Sequence, residues 1–382
     1  MFSVDNFYDH FSANYGFEKT GRLIFTFQPN GSKDLHNLQP FILNPRSLPD
    51  YATNYHSYKR IMMHDQEPVI LDYVDTYRKK LLEQKNDFYC ANPQQAERLQ
   101  RLSKSAENHD SISFFRKCIG GTHSPIICHS EVNSQDINRL HKADFISCYY
   151  WWHGMIARDW FRHWQHYDIL QPCDKSHNHE RFLLYARATD GTRQYRKSVI
   201  DHCAQRRSQV RYNWLNSQVD STFSAKIDLE DHTPPIHLIA ETLFDTDKIY
   251  LTEKIFKPMV MSQAFLLFGS PGSLDYLRHY GFLTFDQCWD ESYDRESDSK
   301  KRLEKLLDLI DFLGDMPTEK FSRVYQKTLP IIAHNRQRFF DMALQDQLLG
   351  EMQKNLQTAL LEQDQRHDHG LDDESGTDCD NV

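Results

Sequence analysis

The sequence is poor in the features that mark secreted, membrane-spanning or metal-clustered proteins. Its eight cysteines (Cys90, Cys118, Cys128, Cys148, Cys173, Cys203, Cys288 and Cys379) include no CxxC and follow no regular spacing, so reduced thiols and a cytoplasmic setting are expected. No apolar run approaches the roughly 20 residues needed to cross a bilayer, and MFSVDNFYDHFSANYG has no basic stretch leading into an apolar core. Neither a transmembrane segment nor a secretion leader is expected. No internal repeat, heptad array or low-complexity linker breaks the 382 residues, a length that suits two domains of ordinary size.

Positive charge is also in deficit. The net charge is −9, and much of it lies in the final stretch HDHGLDDESGTDCDNV, which lacks apolar periodicity and reads as a solvated tail. A nucleic-acid surface is therefore not expected as the main role, whereas the basic clusters RQYRK and QRRSQVR suit small anionic ligands. Hydrophobic residues at 39% and aromatics at 13% make the body globular.

The recurring local pattern is strand, polar loop, helix. RLIFTF (22–27) is a compact strand, and IMM within KRIMMHDQEPVIL (59–71) is a buried strand ending in the polar HDQEP loop. SPIICHSEVNSQDINRLHKA gives a strand, an HSE turn and an amphipathic helix. FISCYYWWHGMIARDWFRHWQHY (145–167) reads as an aromatic helix, with Trp151, Trp152, Trp160 and Trp164 in packing roles and His153 as a structural histidine. The second half repeats the unit twice. RFLLYARATDGTRQYRKSVIDHC is strand, basic turn and helix; PPIHLIAETLFDTDKIY leads to TEK, with Thr252 capping a helix from Glu253, then strand FLLFG, turn SPGS and a helix capped by Ser273. Consecutive units of this kind predict a parallel sheet and an α/β fold. Residues 297–363 have helical period.

The chemistry concentrates at TEK and GSPGS, which both follow strands and so fall where open α/β sheets bind ligands. A helix start offers N–H groups to a phosphate, Lys254 adds a full charge, and Glu253 can accept hydrogen bonds from sugar hydroxyls. The competing reading gives Glu253 to the helix dipole and Lys254 to solvent, and makes GSPGS an ordinary connection.

The run HLIAETLFDTDKIYLTEKIFKPMVMSQAFLLFGSPGSLDYL resembles the donor-binding segment of the α-1,3-fucosyltransferases, with their Tyr-x-x-Glu-Lys motif at Tyr250 to Lys254. LLYARATDGTRQYRKSVID is similar to the same family's strand, turn, arginine and helix segment. The resemblance covers about the middle third of the chain. It implies a GT-B-like fold of two Rossmann-like lobes and an inverting, metal-independent transfer from a nucleoside-diphosphate sugar, GDP-fucose in the family, to a glycan or other hydroxyl acceptor. No cofactor or metal site is implied. Arg196 would meet the donor diphosphate, with Arg193 and Arg187 as competitors. Glu241, Tyr250, Thr252, Glu253, Lys254, Ser270 and Gly272 complete the implied donor site. The Glu-Pro of HDQEP resembles the family's acidic loop, which makes Glu67 the first candidate for the general base, with Asp65 second; Glu131 of HSE is third, from its place after a strand.

The implied domains are an acceptor-side lobe at 1–172, a donor lobe at 173–345, a helix at 346–363 and a disordered tail at 364–382. The departures from the family are an N-terminal half without broad likeness and the distinct element WDESYD (289–294), similar to a segment of phage and bacterial glycosyltransferase-like proteins. The alternative function is a non-catalytic module that binds a glycan or protein through the aromatic segment 149–164.

Overall fold

The computed structural model describes the backbone of residues 22–26, 41–42, 59–63, 68, 107, 109–110, 112–113, 124–186, 189–206, 209–213 and 233–373. The chain forms two compact units. One comprises the described residues up to Glu131, residues 135–152 and those from Leu349 on; the other comprises Val132–Ser134 and His153–Leu348. The boundary expected at 172 thus falls inside the second unit.

The first unit holds a five-stranded sheet in the order β2-β1-β3-β4-β5, built from β1 (Arg22–Thr26), β2 (Phe41–Ile42), β3 (Lys59–Met63), β4 (Ile126–His129) and β5 (Ile146–Tyr149). All neighbours run parallel except β2, which pairs antiparallel with β1. The sequence reading placed a helix across 145–167. ISCY instead alternates buried and less buried positions and lies in register beside β4, Ile126 against Ile146. Period-two burial made this stretch a strand, and the helix starts later. Helix α1 (Gln135–Lys142) follows β4 and buries Ile137 and Leu140. Helix α2 (Trp152–Phe161) follows β5, with Trp152 in this unit and the rest of the helix in the second. Trp151 and Trp152 are among the largest fully buried side chains, in the packing role expected of them.

The second unit holds a four-stranded, wholly parallel sheet in the order β7-β6-β8-β9, formed by β6 (Phe182–Tyr185), β7 (Val210–Asn213), β8 (Ile236–Ala240) and β9 (Ala264–Phe268). IHLIA and AFLLF are buried at every position, as strands covered on both faces must be. Around the sheet come α3 (Tyr195–Ala204), α4 (Phe256–Val260), α5 (Ser273–His279), α6 (Ser299–Gly314) and α7 (Thr318–Phe340). Phe256 of α4 lies 5.1 Å from Phe339 of α7, ring to ring. Lys175 is buried and donates to Met261 O and Ser262 O, just past the end of α4; desolvation lowers its pKa to about 8.

Helix α8 (Met342–Asp373) begins in the second unit and continues into the first. It runs ten residues into the stretch expected as a disordered tail, with Gln363 buried and donating to Ser124 O. Among the described residues no helix is long and apolar enough to cross a membrane.

Candidate active site

In the order β7-β6-β8-β9 the chain leaves β6 for one edge and then crosses to β8 on the other side, so β6 and β8 flank the point where the winding reverses. Ligands of open parallel sheets bind beyond the carboxyl ends of such a pair. Glu241 stands at the end of β8 and is fully buried. A carboxylate in that position needs donors. Thr252 supplies two, its N–H to Oε1 at 3.1 Å and its hydroxyl to Oε2 at 2.6 Å. The same hydroxyl accepts from Lys254 Nζ at 2.8 Å, and Nζ lies 4.0 Å from Glu241 Oε2. Lys254 is thus tethered at its ammonium while its side chain keeps 31% of its surface open.

Thr252 is also the cap the sequence suggested, for its side chain accepts from Lys254 N at 3.5 Å. What it caps is shorter than expected: a 3-10 turn, Glu253–Ile255, running into the five-residue α4. Anchored side chains, rather than a long helix dipole, make the charge at this site.

At the end of β6, Arg187 lies outside the described residues. Arg193 is half-buried on a 3-10 turn, Gly191–Arg193. Arg196 turns inward instead, donating to Ala240 O and Glu241 O at 2.8 Å each. Tyr195 assists by donating to Glu241 O at 2.7 Å, and burial raises its pKa. Its ring stacks on Phe244 at 4.4 Å, and the Arg302 guanidinium lies 4.5 Å from that ring. In this geometry Arg196 is a clamp that fixes the backbone at the end of β8.

Glu253 is buried, and each carboxylate oxygen has a neighbour. Oε1 lies 3.4 Å from Lys254 Nζ, and Oε2 lies 3.1 Å from Nδ1 of His153. The other ring nitrogen of His153 is 2.9 Å from the hydroxyl of Tyr250. Sequence reasoning placed Tyr250 and Glu253 in the site and left His153 out. The histidine lies 97 positions from Tyr250, and nothing in its local pattern points there.

The GSPGS turn departs from expectation. Ser273 is the first residue of α5 rather than its cap: Gly272 holds that place at φ +81°, and the Ser273 hydroxyl donates to Ser270 O at 2.6 Å. Glycine at 272 is required by that left-handed backbone, and a Cβ there would stand 3.3 Å from Ile249 Cδ1. The N-terminus of α5 already holds an anion. Both oxygens of Asp294 accept from Leu274 N, at 3.1 and 3.2 Å, and Asp294 O accepts from Gly272 N at 2.8 Å. WDESYD therefore supplies the cap from 20 residues away. Burial lifts the Asp294 pKa to about 6. Ser270 is buried at the carboxyl end of β9, and its hydroxyl has no hydrogen-bond partner among the described residues.

Comparison of the chain with family models, curated proteins and solved structures found no match. The site therefore rests on its geometry. Asp65 and Glu67, which follow β3 in the chain, lie outside the described residues. Glu131 follows β4, is buried, and donates its N–H to His129 Nδ1 at 3.2 Å. Among the described residues no three His, Cys, Asp or Glu side chains gather as metal ligands would.

Proposed function

We propose that the protein is an inverting, metal-independent glycosyltransferase of GT-B type, taking its sugar from a nucleoside-diphosphate donor. The observation that carries this reading is the tethered, partly open Lys254 at the winding reversal of a parallel sheet, with Arg193 on the turn that follows the neighbouring strand. The presence of two compact units, one with a wholly parallel sheet and one parallel except at β2, supports the two-lobe architecture.

In this mechanism the Lys254 ammonium meets charge that grows on the leaving diphosphate, without rearranging as the bond breaks. Glu241 and Thr252 hold the ammonium there, and Arg193 or Arg187 supplies the second positive charge. Tyr250, Ser270 and Gly272 complete the proposed donor contacts, with the Ser270 hydroxyl awaiting a partner. Attack on the anomeric carbon by an acceptor hydroxyl inverts the configuration and requires a base. Glu67 is proposed for that step, with Asp65 and Glu131 as the other two acids. Fucose from GDP-fucose is the first donor to try, with a glycan hydroxyl as acceptor.

The test is a thermal-shift screen against GDP-fucose, other GDP-, UDP- and CMP-sugars and free nucleotides, each with EDTA and with Mg²⁺. A donor present at ~100 times its dissociation constant adds about 2.7 kcal/mol of stability. A rise selective for one donor class and insensitive to EDTA supports the reading, and transfer to a glycan acceptor completes it. Stability unchanged by every donor, with no transfer, overturns it in favour of a binding module.

A further inference from the structure

We infer that His153 is a positioning residue for Lys254, acting through Glu253. Three observations within the second unit carry this. The imidazole lies between two residues of the motif, Nε2 at 2.9 Å from the Tyr250 hydroxyl and Nδ1 at 3.1 Å from Glu253 Oε2. The Glu253 carboxylate divides its oxygens, with Oε2 toward His153 and Oε1 3.4 Å from Lys254 Nζ. The ring is buried, so the contacts form out of solvent, where a fixed dipole orients a carboxylate strongly.

The Nδ1–Oε2 approach is an electrostatic contact and not an aligned hydrogen bond, whereas Nε2 is hydrogen-bonded to the Tyr250 hydroxyl. Tyr250 anchors the ring, the anchored ring fixes what Glu253 Oε2 meets, and Glu253 with Thr252 sets where the ammonium points. A carboxylate-oriented imidazole is a common arrangement; here the imidazole orients the carboxylate. Lys254 then has anchors on two sides, Thr252 and Glu253. The His153 ring also meets the Tyr250 ring edge-on at a centroid distance of 5.3 Å, which fixes its plane. The inference deepens the donor-site reading and rests on it for its catalytic meaning, while the local geometry can be tested without any donor.

The experiment measures acetylation of Lys254 by acetyl N-hydroxysuccinimide in the folded full-length protein, by peptide mass spectrometry against exposed Lys300 as internal reference. An amine held by oxygens is acylated more slowly than one that swings in solvent. His153→Gln places an amide nitrogen near the position of Nε2 and nothing opposite Glu253. It is expected to raise Lys254 acetylation about twofold, the weight of one polar contact at the weak end of the hydrogen-bond range. His153→Asn places its amide nitrogen near the position of Nδ1 and is expected to restore the wild-type rate. Tyr250→Phe removes only the hydroxyl and should fall between the two.

Equal Lys254 rates in wild type, His153→Gln and Tyr250→Phe, with unchanged melting temperatures, overturn the inference. Should His153→Gln not fold, an unchanged rate in Tyr250→Phe alone overturns it. A second arm titrates GDP-fucose and UDP-glucose. Binding by wild type that weakens in His153→Gln and recovers in His153→Asn supports the inference. Absence of binding by wild type removes the enzymatic reading alone, and the acetylation ratios still uphold or overturn the positioning role.

Discussion

Thr252 carries more of the site than its size suggests. One hydroxyl donates to Glu241 and accepts from Lys254, so the buried carboxylate and the partly open ammonium share a single oxygen. Thr252→Val keeps the shape and removes that oxygen, leaving Glu241 Oε2 short of a donor in a fully buried place. The variant should lose about 1–3 kcal/mol in urea unfolding, while Thr252→Ser retains most of it. A valine variant as stable as wild type would mean that Glu241 finds another donor. Lys254 and Arg196 should separate by donor affinity. Lys254→Ala removes the cation beside the buried Glu241 and Glu253, so donor affinity should fall about tenfold or more and melting temperature should fall as well. Arg196→Ala strips donors from two buried carbonyls and should lower stability by about 1–3 kcal/mol. A Lys254→Ala protein with unaltered donor affinity would remove the lysine from the site.

At the scale of elements, α5 shows how a helix end can be satisfied from elsewhere in the chain. Its amide at Leu274 points at Asp294, whose carboxyl has an ordinary pKa of 3.8 that burial raises to about 6. A carboxyl whose native pKa lies above its unfolded value binds its proton more tightly when folded. Stability from this group is therefore full below about pH 4 and is lost as pH rises through 6, a difference of at most about 3 kcal/mol. Asp294→Asn still offers an oxygen to Leu274 N and has no charge to bury. It should match wild type near pH 4 and exceed it at pH 8 in melting temperature, whereas Asp294→Ala, which also lacks the cap, should fall about 1 kcal/mol below Asp294→Asn at both. A pH-independent gap between Asn and Asp would show that the carboxyl is not held up by burial.

The same element marks how far sequence reading reaches. The apolar runs IICH, FLLY, IHLIA and AFLLF, each bounded by polar turns, announced the parallel strands, and Thr252 announced its own cap. These features are local, set by neighbours a few residues apart. Asp294 on α5, His153 on Glu253 and Arg196 on the carbonyls of β8 were not legible, because each pairs residues separated by 20 or more positions. Side-chain direction decided them, and Tyr195 and Arg196 both face inward although their neighbours Gln194 and Lys197 are exposed. ISCY misled because a run of aromatics after a short strand imitates one continuous helix.

For the whole molecule the decisive element is α8, which continues from the second unit into the first. Within the first unit it buries Met352, Leu356, Ala359 and Gln363 along one face, at the spacing of a helix stripe. Asn355 donates to Tyr149 O at 2.9 Å, Gln363 to Ser124 O at 2.8 Å, and Arg366 pairs with Asp144 at 2.7 Å. These contacts reach the end of β5, the entry to β4 and the turn between α1 and β5, so residues more than 200 positions apart complete one sheet environment. Burying a Met or Leu side chain is worth about 1.5–3 kcal/mol, and unpairing buried carbonyls costs more on top. Truncation after Leu348 therefore removes roughly 5 kcal/mol or more from the first unit, comparable to the whole stability of a small domain. Hydrogen exchange on the truncated chain should show β4 and β5 losing protection while β6, β8 and β9 keep theirs, because the second unit retains its own core of Phe256, Phe265, Phe282 and Phe339. Equal loss in both sheets would mean that the two units unfold as one. Protection retained in β4 and β5 would mean that the helix stripe is dispensable to the sheet it lies in.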